Sequence, residues 1–75
     1  MHITTKTTTS RGKDAIVAKG EGKQRTVVLN EPLTLDNYDR MHGSVAGELA
    51  LALGLTYSDS IEAINIMGGF RFIWP

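Results

Sequence analysis

Polar and apolar residues follow two different periods along this chain, and the change of period divides it. Residues 3–10, ITTKTTTS, are rich in Thr, a β-branched residue that suits a pleated strand. In an extended chain Ile3, Thr5, Thr7 and Thr9 share one face, and Thr4, Lys6 and Thr8 the other. RGKD, Arg11 to Asp14, has turn chemistry, and AIVAK, residues 15–19, reads as a second strand. GEG, Gly20 to Gly22, interrupts the pattern before a third strand, QRTVVL, residues 24–29. That strand ends at Asn30–Pro32, because Pro cannot donate to a ladder. An antiparallel meander of three strands is expected.

Beyond Pro32 the spacing becomes helical. Leu35, Tyr38, His42, Val45, Leu49 and Leu53 recur at intervals of three or four, which predicts a helix over 34–54. Thr34 is the expected N-cap, and Asp36 and Asp39 suit the positive end of the helix dipole. Asp36 is also placed to pair with Arg40. Gly54 suits the C′ position, followed by Leu55 as its hydrophobic contact. Gly43 and Gly47, with Ala46 and Ala50, give the helix a small-residue surface. TYSDS, 56–60, reads as a loop with at most one helical turn capped by Asp59. The runs 61–67 and 70–74 then flank Gly68-Gly69, a hairpin signal. In that register Met67, Phe70, Phe72 and Trp74 share one face, and Ile64, Ile66 and Ile73 share the other with Arg71.

The expected fold is α+β, in the order β-β-β-α-β-β, a mainly antiparallel sheet with one helix packed on it. It forms a single domain over 1–75: a basic meander (1–33), a helix (34–54) and a C-terminal hairpin (61–75). The expected core is Ile16, Val27, Leu29, Leu35, Tyr38, Val45, Leu49, Leu53, Ile64, Ile66 and Phe72.

Composition narrows what can hold such a domain together. The chain has 75 residues and no Cys, so neither disulfides nor thiolate zinc sites reinforce it. A core this small favours self-association as a source of stability. No apolar run is long enough for a membrane span, and the opening MHITTKTTTS lacks a signal-peptide core, so a cytoplasmic location is expected. The formal net charge is zero, yet residues 1–30 carry six cations against two anions and residues 31–75 two against six. Such asymmetry orients partners or copies of the chain.

Tests for chemistry narrow the function further. Gly20-Glu21-Gly22-Lys23 fails the phosphate-loop pattern, since Val17 stands at the first Gly position, Gln24 follows the Lys, and a strand follows instead of a helix. The dinucleotide fingerprint fails as well, with Arg25 at the third Gly. The stretch reads as a charged hairpin loop. His2 and His42 are the only histidines, and neither lies in a ligand motif; His42 is expected partly buried on the helix stripe or at its edge. Glu48, Asp59 and Glu62 have no spacing that would pair them as catalytic carboxylates. The chain is therefore expected to be non-enzymatic, with no cofactor and no metal.

Binding is the better expectation. The first candidate is a protein partner or a second copy of the chain, met through Gly43, Gly47, Phe70, Arg71, Phe72 and Trp74. The alternative is nucleic acid, gripped by Lys6, Lys13, Lys19, Lys23 and Arg25 in and beside the first three strands, although the aromatic residues all lie outside that basic half. A third is a pocket between protomers for a small anion, lined by Lys23 and Arg25.

RGKDAIVAKGEGKQRTVVLN, with its hairpin pattern from Gly12 to Thr26, a following helix with small residues and a closing Trp-containing strand, resembles short accessory proteins of tailed phages that infect actinobacteria. The resemblance implies a viral, intracellular, non-enzymatic protein that acts on a host factor. That group has no assigned activity, so no residue role carries over. The β-β-β-α order is also similar to the arm-type DNA-binding domain of phage integrases, which is basic overall where this chain is neutral.

Overall fold

A computed structural model describes residues 1–55 and 61–75. The element order is β1 (His2–Ser10), β2 (Lys13–Gly20), β3 (Lys23–Val28), α1 (Tyr38–Ala52), β4 (Glu62–Ile66) and β5 (Gly69–Ile73). The strands form one antiparallel sheet in the spatial order β3-β2-β1-β5-β4. The expected β-β-β-α-β-β order is therefore the observed one. The Thr-rich strand is its centre, because β5 returns after the helix to pair along the free edge of β1. The ladder runs on to the chain ends, where the Trp74 amide donates to the Met1 carbonyl at 2.8 Å and the N-terminal ammonium donates to the Trp74 carbonyl at 3.2 Å.

Three two-residue loops set the register. Arg11-Gly12 and Glu21-Gly22 each place both residues at positive φ, 53° and 78° in the first and 50° and 75° in the second. This is the type I′ geometry that matches strand twist. Gly20 belongs to β2, so the loop of the GEG stretch is Glu21-Gly22 alone. The third loop differs from its expectation by one residue: it is Met67-Gly68, with Gly68 at φ 80°, and Gly69 already pairs with Ile66 and Lys6. Gly69 is required for another reason, since a Cβ there would overlap the Thr5 carbonyl of β1. Met67 therefore lies in the turn, 93% exposed, and does not share the face of Phe70.

The helix starts later than its periodicity suggests. Thr34 is not its N-cap; the Thr34 amide donates to Asn37 Oδ1 at 2.8 Å, and the Asn37 amide donates to Thr34 Oγ1 at 3.3 Å. Asn37 Nδ2 also donates to the Pro32 carbonyl at 3.1 Å. These bonds close residues 34–37 into a turn that runs straight into the helix, the Tyr38 amide donating to the Thr34 carbonyl at 3.0 Å, and Asn37 is the residue before α1. Leu35 sits on the outside of that turn and is fully exposed, which removes it from the core. The other end follows expectation. Gly54 takes φ 79°, Leu55 donates to the Ala50 carbonyl at 2.9 Å and Gly54 to the Leu51 carbonyl at 3.1 Å. That pair of bonds is the Schellman closure.

The core lies on one side of the sheet only. Alternation sends Ile3, Thr5, Ile16, Ala18, Val27, Phe70, Phe72 and Trp74 toward the helix, where they meet Val45, Ala46, Leu49 and Ala50. Burying each large apolar side chain contributes about 1.5–3 kcal/mol. Of the expected core, Ile16, Leu29, Val45 and Leu49 are buried, and Val27, Leu53 and Phe72 pack around them. Tyr38 is half-buried. Ile64 and Ile66 are not in the core: they share the parity of Arg71 and point to the uncovered face, where Ile64 is 41% exposed. The helix lies over β1, β2 and β3, meets β5 at one end and leaves β4 largely uncovered. Among the described residues no helix is long and apolar enough to cross a membrane.

Candidate functional site

Among the described residues the face of the sheet away from the helix has no layer over it, and pairing brings residues together on it from distant parts of the chain. Lys19 of β2, Thr4 of β1 and Arg71 of β5 stand opposite one another in a single row across three strands. Lys6 lies two residues along β1 from Thr4, opposite Val17 and Gly69. It is thus diagonal to both Lys19 and Arg71, at about 7–8 Å between backbones. Lys13, at the far end of β2, has the same parity. Thr8 and Thr26 add hydroxyls to this face. Thr4, Lys6, Thr8, Val17 and Lys19 line a shallow depression of about 390 Å³.

The charges here are unmatched. Among the described residues none of Lys6, Lys19 and Arg71 is in an ion pair. The carboxylate that the strands put on this face is Glu62, on the edge strand β4 opposite Ile73 and so diagonal to Arg71, without an ion pair between the two. Most of the anionic groups lie elsewhere: Glu31, Asp36, Asp39 and Glu48 belong to the loop and helix. The charge asymmetry along the sequence has become an asymmetry between layers.

The remaining expected site residues fall outside this cluster. Lys23 and Arg25 point to the helix side of β3, and Arg25 Nη2 bonds Glu48 Oε1 on the helix at 3.2 Å. Phe70, Phe72 and Trp74 line up along the core with ring centroids 5.7 Å and 6.5 Å apart, on the opposite side of the sheet from Arg71. Gly43 and Gly47 face open space, where an added Cβ would meet nothing. The expected turn at 56–60, with Asp59, lies outside the described residues.

A second cluster looks like chemistry and is built into the core. His42 is fully buried between Tyr38 and Phe70, with ring centroids at 4.4 Å and 5.4 Å. Thr5 Oγ1 lies 2.7 Å from its Nδ1, and Thr7 Oγ1 lies 3.1 Å from its Nε2. Thr5 Oγ1 also accepts the Phe70 amide at 3.3 Å. The network is satisfied throughout when the Thr5 hydroxyl donates to Nδ1 and Nε2–H donates to Thr7, which assigns the Nε2–H tautomer. Burial lowers the His42 pKa from its ordinary 6.5, and the Asp39 charge offsets part of that. With both ring nitrogens bonded to hydroxyls of β1, His42 fastens helix to strand. A signal for it exists in the sequence: Thr5 and Thr7 share a strand face, and His42 sits on the packed stripe.

Among the described residues no group of three His, Cys, Asp or Glu is placed to hold a metal ion. No protein family, curated protein or solved structure matches the chain.

Proposed function

We propose that the protein is a non-enzymatic binding protein that holds the sugar–phosphate backbone of a nucleic acid on the open face of its sheet. The observation that carries this reading is the set Lys6, Lys19 and Arg71, grouped around Thr4 without an acidic partner among the described residues. Three adjacent cations with hydroxyls between them match the spaced charges and acceptor oxygens of a phosphate chain. The described aromatic rings lie on the helix side, so bases are not stacked on them. Contact is then to the backbone, with little sequence preference and strong salt dependence.

A gel shift and salt titration test this reading with a 20-nucleotide single strand and the matching duplex. Retardation at low salt is expected, with a logarithmic salt slope of about −2 to −3 on the single strand and about −3 to −4 on the duplex for three to four phosphate contacts. Exchanging Lys6, Lys19 and Arg71 together for Ala should weaken binding at least roughly tenfold, the lower end of what three lost phosphate contacts remove. Exchanging Lys23 and Arg25 on the other face should change it less than about twofold. Absence of retardation at low salt, or equal loss from the two sets, contradicts the reading.

A further inference from the structure

The two edges of the sheet are built differently. The β3 edge carries Lys23 and Arg25, lies under the helix and is tied to it through Glu48. Charged side chains and a covering element are the usual protection of an edge strand. Among the described residues the β4 edge has no covering element and little charge. Its five residues, Glu62-Ala63-Ile64-Asn65-Ile66, hold one charge, no Lys and no Pro. The helix leaves β4 largely uncovered, and four of the five residues are exposed. Among the described residues β4 pairs with β5 alone, so the backbone groups of its outer side are free for another strand.

We propose that this edge takes a second copy of itself, two β4 strands pairing antiparallel about Ile64 to give one continuous ten-stranded sheet. The sequence of β4 is self-complementary in that register. Ile64 stands opposite Ile64 of the partner copy, Ala63 opposite Asn65, and Glu62 opposite Ile66. The single charge of the strand never meets its own copy, and the exposed large apolar residue of β4, Ile64, is the one placed on the twofold axis. A twofold pairing of this kind closes on itself and leaves the charged β3 edges outermost, where further addition is disfavoured. The two cation clusters then lie on one continuous face. The dimer rests on the edge strand alone and stands apart from the nucleic-acid reading.

The absence of Cys makes a site-directed test clean. Sedimentation over about a hundredfold range of concentration should move the mass from 8.2 kDa toward twice that value. Under mild oxidation Ile64→Cys should form a covalent dimer through its own copy, since residues directly opposite have Cβ atoms about 4.5–5.5 Å apart. Thr26→Cys, on the β3 edge, should form no covalent dimer under the same oxidation. Ile64→Lys sets two like charges against each other on the axis and should abolish concentration-dependent association, with circular dichroism and melting confirming that the chain still folds. A monomer at every concentration overturns the proposal. So does cross-linking through Thr26→Cys as strong as through Ile64→Cys, or association that Ile64→Lys leaves intact.

Discussion

Thr4 and Thr5 are neighbours in the sequence and identical in chemistry, yet they belong to different halves of the molecule. Thr5 is wholly buried, bonded to His42 and to the Phe70 amide. Thr4 lies on the open face between Lys19 and Arg71. The pleat alone separates them. Around Thr5 every polar atom has a partner, so that face is rigid and structural. Around Thr4 three cations meet one diagonal carboxylate, Glu62, and none of them is in an ion pair among the described residues, which leaves the surface a net positive charge for a ligand. A five-stranded sheet with one helix can cover only one of its faces, and in this protein the uncovered face collects cations.

Substitutions on the two faces should therefore separate stability from binding. The largest effect is expected at the join between β1 and β5. Gly69→Ala places a methyl into the Thr5 carbonyl and should lower stability by about 4 kcal/mol. For a chain this size that is a fall in Tm of at least roughly 15 °C by calorimetry. His42→Ala comes next, at about 3 kcal/mol in denaturant unfolding, because it opens a cavity beside Tyr38 and Phe70 and strips Thr5 of its partner. Thr5→Val should cost about 2 kcal/mol, whereas Thr4→Val should stay within about 0.5 kcal/mol. Equal losses at Thr4 and Thr5 would erase the distinction between the faces.

The same contrast extends to pH. Burial holds His42 neutral, so it takes up its proton at a lower pH in the folded chain than in the unfolded one. As pH falls below about 6.5, the unfolded state gains the proton first and stability declines, levelling only once the folded-state value is passed. Charging the ring also forces Nδ1 to become a donor, which leaves the buried Thr5 hydroxyl to find another acceptor. Melting between pH 7.5 and about pH 5 should show this decline in the native chain and a flatter profile in His42→Gln. The smallest effect is expected at the exposed Arg25–Glu48 pair, where Arg25→Ala should change stability by no more than about 0.5 kcal/mol.

Local chemistry made much of this fold readable. Alternation in ITTKTTTS, the period change after Pro32, and Gly54 with Leu55 each depend on residues a few positions apart, and each is observed. The helix start is later by one turn: Thr34 and Asn37 exchange the reciprocal bonds of a capping box, and the regular helix begins only after them, at Tyr38. Ile64 and Ile66 were legible as a face but not as an exposed one, because which side the helix covers is decided by the whole sheet. The cation cluster was harder still. Lys6 and Lys19 become neighbours through the β1–β2 hairpin, but Arg71 joins them only because β5 crosses back to β1, a pairing across some 65 positions of sequence that no local pattern encodes.

If the open face binds while the helix face holds the fold, the two properties must separate in a single titration. A fluorescent single-stranded oligonucleotide is titrated by anisotropy at low salt with the native chain and with the Lys6→Ala/Lys19→Ala/Arg71→Ala variant, each also melted in the same buffer. Binding at least roughly tenfold weaker in the variant, with a Tm unchanged within about 3 °C, is the expected result. Unchanged binding, or a loss of binding that accompanies a collapse in Tm, contradicts it.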